Sequence, residues 1–189
     1  MKTENIWQAD SQQQMFRQLA EAFSRPSTVS DLTPLLNGAT AQRAVLATLM
    51  DGETTLADPH GQIASEDWPL LQARRSVPNT ARYIVAAGNC PPDFQPALGS
   101  LESPEFGATL LIKIDAVVSG SLTMELNGPG IKGRRELCLS GLHIDWLHRR
   151  ADWVVDFPLG VDILLFDATC IVALPRTTHV AITGGDFLI

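Results

Sequence analysis

Arg176, Thr177, Thr178 and His179 stand together directly after an apolar run, Ile171-Val172-Ala173-Leu174, that Pro175 closes. A guanidinium, two hydroxyls and an imidazole at one strand end can hold a phosphate, phosphonate or partner carboxylate through charge-assisted hydrogen bonds. The same residues have an architectural use. Threonine hydroxyls cap neighbouring backbone, and Arg176 can pair with an acid such as Asp162. Residue types alone leave both readings open.

Other chemistry-bearing sets are weaker. Gly128-Pro129-Gly130-Ile131-Lys132-Gly133 has the glycines and the lysine to wrap a phosphate. It lacks the spacing and the following helix of a P-loop, so a structural turn is the better reading. Arg134-Arg135 and Arg149-Arg150 are short basic pairs that could meet a phosphate, though partner-facing salt bridges or solvated positions are commoner. His143 and His148 are five apart, which does not put both on one helix face. No Cys or carboxylate set has metal-ligand spacing, so no metal is expected. No serine sits in a nucleophile elbow.

The elements that position these residues can be read from periodicity. A helix is expected over 11–23, capped by Asp10 or Ser11 and stopped at Ser24-Arg25-Pro26. Residues 27–39 read as an irregular connection. A second helix begins at Thr40 or Ala41, runs to Met50 and closes at Asp51-Gly52. A short strand over 54–57, a turn at 58–61, a helix over 67–75 and a strand over 83–87 follow. Residues 88–103 hold several prolines and resist assignment, beyond a short helical turn at 95–98. Strands over 109–115 and 121–126, around Ser119-Gly120, suggest an antiparallel pair. The chain turns at 127–130, alternates as a strand over 135–139 and forms a helix over 144–153. Two buried strands then flank the turn Asp167-Ala168-Thr169, the first opening beyond Pro158 and Gly160 and containing Asp162, the second ending at Pro175. Early helices, later strands and a helix between them predict a mixed α/β layered domain.

Composition sets outer limits. A chain of 189 residues reads as one domain over 1–189, with 1–10 as a flexible N-terminal tail. Hydrophobic residues at 45% and charged ones at 19% are ordinary for a globular protein. A net charge of −7 argues against a nucleic-acid partner. No run approaches the ~18 apolar residues of a membrane span, and the N-terminus lacks the pattern of a signal peptide. Cys90, Cys138 and Cys170 read as reduced thiols of a cytoplasmic protein.

Several stretches together resemble one family. Phe157-Pro158-Leu159-Gly160-Val161-Asp162 and the octet Ala173-Leu174-Pro175-Arg176-Thr177-Thr178-His179-Val180 are similar to the C-terminal signature of the H subunit of the carbon–phosphorus lyase complex. Leu126-Asn127-Gly128-Pro129-Gly130-Ile131 resembles that family's turn, Phe106-Gly107-Ala108-Thr109-Leu110-Leu111 the start of one of its strands, and residues 16–26 its first helix. The resemblance implies a cytoplasmic assembly with G, I and J subunits; a homodimer is an alternative for the isolated chain. It implies a reaction in which an alkylphosphonate displaces adenine from ATP to give a ribose 1-alkylphosphonate 5-triphosphate, with iron–sulfur and radical chemistry on another subunit. The chain alone is then expected to be an interaction subunit rather than a catalyst, the alternative being a subunit that holds phosphate or phosphonate itself.

The implied fold is similar to the large domain of pyridoxal-phosphate-dependent transferases, without the cofactor. Of the lysines a Schiff base would need, Lys2 lies in the expected tail, Lys113 on an outward strand position and Lys132 in the glycine turn. No cofactor is therefore expected.

Overall fold

Apolar side chains at helical spacing, Met15, Leu19 and Ala22, bury one face of α1 (Ala9–Ser24) in a computed structural model that describes residues 5–185. The helix starts two residues earlier than expected. Gln8 is its N-cap and makes no side-chain cap bond, so neither Asp10 nor Ser11 caps it. A 3-10 turn at Asn5–Trp7 precedes it and buries Ile6. The expected tail is therefore packed from residue 5, while residues 1–4 lie outside the described part.

The connection expected to be irregular contains β1 (Ser30–Asp31) and the short α2 (Thr33–Leu36). Thr40 caps α3 (Ala41–Leu49) by accepting the Arg43 N–H at 3.3 Å. This helix ends on Met50 in an extended conformation, not on a left-handed Gly52. The Asp51 carboxylate instead turns the chain by accepting the N–H groups of Glu53 and Thr54. β2 (Thr55–Ala57) follows. The helix expected over 67–75 is only the turn α4 (Trp68–Leu71), because Gln72 at φ 58° stops it and Arg74–Arg75 pairs as β3. β4 (Tyr83–Ala87) is as expected. Residues 95–98 form no helix; Leu98 bridges Gly107 just before β5 (Thr109–Lys113). β6 (Leu122–Asn127), β7 (Arg135–Leu139), α5 (Asp145–Trp153), β8 (Asp162–Phe166), β9 (Cys170–Leu174) and β10 (His179–Gly184) complete the chain.

The strands form two sheets. The larger has the order β1-β9-β8-β5-β4-β2-β3, with β8, β5, β4, β2 and β3 parallel and β9 antiparallel beside β8. The smaller is antiparallel, β10-β6-β7. The hairpin expected between β5 and β6 does not form. β5 lies between β4 and β8 in the large sheet, and β6 is the centre of the small one.

Alternation along the central strands builds two cores. Ile84, Leu110, Ile112, Ile163, Leu165, Val172 and Leu174 face α5 and the small sheet. Val85, Leu111, Leu164, Phe166, Ile171 and Ala173 face α1, α2 and α3 on the opposite side. With both faces covered, the strands read as unbroken apolar runs. Each fully buried Leu or Ile contributes about 1.5–3 kcal/mol relative to exposure. This frame holds the β8 start and the β9 end side by side, which brings Asp162 to the segment after Pro175.

Candidate functional site

Pro175 supplies no N–H, so β9 ends and the chain turns, with the Thr178 N–H donating to the Pro175 carbonyl at 2.9 Å. Arg176 therefore leaves the strand beside Asp162, the first residue of β8. Its backbone N–H donates to Asp162 Oδ1 at 2.8 Å, and Nη2 donates to Oδ2 at 2.8 Å. Nη1 donates to the carbonyls of Pro104 (2.9 Å) and Pro158 (3.1 Å). Gly107 makes room for this: a Cβ there would stand 2.9 Å from Arg176 Nη2 and 2.2 Å from the Gly160 carbonyl. The side chain, only 13% exposed, thus ties the turn to three places in the chain, Pro104, Pro158 and Asp162. The geometry is that of the architectural use open to Arg176 in the sequence. It leaves little donor capacity for a ligand.

Arg150, from the last turn of α5, comes to the same place from the other side. Its Nη2 donates to the carbonyls of Pro175 (2.7 Å) and Thr178 (2.8 Å). The residue is 3% exposed, and Nε has no hydrogen-bond partner. Burial pushes the guanidinium pKa down to about 10, while the Asp162 charge pulls it back up. Thr178, 1% exposed, is its neighbour in this corner, and Oγ1 also lacks a partner.

Between α5 and the 175–180 turn lies a cavity of about 640 Å³. Arg150, Arg176, Thr177, Thr178 and His179 line it, with Pro129 at one side and Val154, Val155 and Phe157 as apolar wall. No carboxylate lines it; Asp162 stands behind, bonded to Arg176. All four residues of the sequence cluster therefore reach one cavity, though with different surroundings. Arg176 and Thr178 are turned into the structure, Thr177 is half-buried, and His179 opens β10 on an exposed position.

The glycine turn is a structural neighbour of this site. Gly128, at φ 136°, lets the chain pass the Thr177 carbonyl, which a Cβ would approach to 2.9 Å. Gly130 packs against the end of α1, where a Cβ would stand 2.2 Å from the Ser24 carbonyl. Lys132 is exposed beyond the turn, and Lys113 is exposed at the end of β5. Neither lines the cavity, so the lysine chemistry of a pyridoxal site does not fit there.

Arg150 belongs to a basic pair that could meet a phosphate, but the sequence does not place it with Arg176 to His179, as the fold does. Solvation is the commoner reading of such a pair, yet Arg150 is buried and Arg149 is half-buried over the Trp153 ring, donating to Gln95 Oε1 at 2.9 Å. A signal was present: Trp146, Arg150 and Trp153 follow i, i+4, i+7, which places Arg150 on the buried stripe of α5. A second cluster also went unread. Cys90 Sγ lies 3.7 Å from His60 Nδ1, and His60 Nε2 lies 3.3 Å from Asp93. His60 Nδ1 already accepts the Ala87 N–H at 3.0 Å, so it has no lone pair free to take the thiol proton. Among the described residues, no group of His, Cys, Asp and Glu is arranged to hold a metal ion.

Comparison with known proteins places this geometry in a family. The model of the bacterial phosphonate metabolism protein PhnH matches residues 4–181, which take in the large sheet, the small sheet up to the middle of β10 and the whole cavity lining. The C-P lyase subunit protein HtxG of Stutzerimonas stutzeri is 41% identical over 181 residues, 95% of this chain and 91% of the relative. A chain of Rhizobium meliloti (strain 1021), named as subunit PhnH of alpha-D-ribose 1-methylphosphonate 5-triphosphate synthase, is 30% identical over 177 residues, 88% of each. The chain belongs to the PhnH family of bacterial phosphonate metabolism proteins.

Proposed function

We propose that this chain is an interaction subunit of a carbon–phosphorus lyase assembly. In that role it supports the step that joins an alkylphosphonate to the ribose C1 of ATP with loss of adenine. The observation that carries the reading is end-to-end similarity to two relatives that are both named as subunits of such systems. The state of Arg176 supports an interaction role over a catalytic one, because its donors are spent on Asp162, Pro104 and Pro158. We infer that its partners are the G, I and J subunits, with a homodimer as the state of the isolated chain.

The cytoplasm is the proposed location; three free cysteines suit a reducing compartment, and no described helix is long and apolar enough to cross a membrane. We also propose kinship with the large domain of pyridoxal-phosphate-dependent transferases. A largely parallel sheet of seven strands covered on both faces supports it.

Deletion of the gene tests the function. Cells lacking the chain should fail to grow on methylphosphonate as the only phosphorus source and grow normally on inorganic phosphate. A tagged copy should restore growth and co-purify with the G, I and J subunits. Growth on methylphosphonate without the chain would refute the assignment.

A further inference from the structure

Charge bookkeeping around the cavity does not balance. Two guanidiniums, Arg150 and Arg176, stand at its wall with one carboxylate, Asp162, behind them. Asp162 makes its direct bonds to Arg176, and Arg150 bonds only to the neutral carbonyls of Pro175 and Thr178. A buried cation without a directly bonded counter-ion carries a desolvation cost that an anion would offset. The imbalance is local, since the whole chain carries −7. It is also selective. A cavity farther along the same edge of the large sheet, beside the starts of β2 and β4, is lined by Asp51, Glu53 and Glu105 against a single Arg82.

Two further features lie in the same corner. Arg150 Nε and Thr178 Oγ1, on side chains almost wholly buried, have no hydrogen-bond partner. In native proteins such atoms are few, because a buried polar atom left unsatisfied keeps its full desolvation penalty. The rest of the wall is apolar. Val154, Val155 and Phe157 line it, with Val155 74% and Phe157 64% exposed. The cavity falls in the size range of small-molecule sites, about 300–1,000 Å³.

We propose that this cavity is a binding site for a small amphiphilic oxyanion, with Arg150 as its charged anchor, Thr177 and His179 as further donors, and the Val154–Phe157 wall against a short apolar body. The anion class is a phosphonate, phosphate or carboxylate group. Arg176 serves as a positioning residue that fixes the turn. The inference does not rest on the assembly role, because it concerns the isolated chain.

Binding is tested on the ¹⁵N-labelled full chain by following the Arg150 Nε–H and the 177–180 amides. The probes are methylphosphonate, inorganic phosphate and propionate, with neutral dimethyl methylphosphonate as control. Saturable shifts at these positions with an anionic probe, and none with the neutral diester, are expected. Arg150→Met should abolish them, but that variant also loses two carbonyl contacts and can fail to fold. Ala151→Glu is the safer variant, since Ala151 is an exposed helix position that lines the cavity. Its carboxylate should reach the site in place of the ligand and weaken probe binding at least about tenfold, or 1.4 kcal/mol. Equal shifts with the neutral diester, binding unchanged in Ala151→Glu, or no saturable shift with any anion would overturn the proposal. So would an Arg150 signal that moves only when partner subunits are added, since the anion would then be a partner's side chain.

Discussion

Arg150 and Arg176 both feel the charge of Asp162, but only Arg176 bonds it, and this gives them different consequences on mutation. Arg176 holds Asp162 through three side-chain contacts and one backbone bond, with both side chains mostly shielded. Breaking such a pair leaves a charge without its partner and costs about 3–5 kcal/mol. Arg176→Ala should therefore lower stability by that order in urea unfolding. Arg176→Ala combined with Asp162→Ala should cost clearly less than the sum of the two single changes. Strict additivity would show that the pair contributes nothing. Asp162→Asn should be at least as damaging as Arg176→Ala, because it removes the acid from both arginines at once. This pairing was open in the sequence, where Arg176 and an acid such as Asp162 are juxtaposed once the two apolar runs pair. Arg150 was hidden because a basic pair on a helix ordinarily reads as solvated; only the stripe formed with Trp146 and Trp153 separates it from Arg149.

Elements were legible where a pattern was long and local, as in α1, α3, α5, β4 and the β8–β9 pair. The pairing error has a plain cause: alternation shows that a segment is a strand but not which sheet it joins. β5 and β6 therefore read as a hairpin, although one is a central parallel strand and the other the middle of the small sheet. The two-residue strands β1 and β3 are too short to have a period, and β10 opens inside the polar cluster at His179 with mostly exposed positions. Two predictions belong to this scale. Gly128→Ala should cost about 1–3 kcal/mol through its left-handed backbone and the nearby Thr177 carbonyl. It should also shift the 177–180 amides. A variant with wild-type stability and spectra would show that the turn does not brace the cavity. The second concerns Cys170 at the start of β9. Its pKa is raised above the ordinary 9.0 by burial, with Asp167 and Asp31 adding to the rise and Thr169 opposing it. The folded chain therefore keeps the thiol proton at pH values where the unfolded chain has lost it. Stability should fall as pH climbs from about 9 through the raised folded value. Cys170→Ser should make the pH profile flatter over that window; an unchanged slope would exclude the thiol as its source.

At the scale of the whole molecule, the large sheet is shared property. Leu111 faces the core under α1 and α3, while its neighbour Ile112 faces the core under α5 and the small sheet. Neither core can lose its floor without the other losing the same backbone. The chain should accordingly unfold as one unit, and its tryptophans are placed to show it. Trp146 and Trp153 belong to the first core, and Trp7 and Trp68 pack against the second. In a variant with Trp146 and Trp153 replaced by phenylalanine, fluorescence reports only the α1–α3 side. In the complementary variant, with Trp7 and Trp68 replaced, it reports only the α5 side. Within each variant, the fluorescence midpoint should coincide with the midpoint from far-ultraviolet circular dichroism. Leu111→Ala and Ile112→Ala should each cost about 2–5 kcal/mol. Each should shift both reporters equally, although the cavities open on opposite faces of the sheet. A Leu111→Ala chain whose α5 side still melts at the original midpoint would mean that the two faces fold separately. The turn carrying Arg176 to His179 would then depend only on the core above β8 and β9.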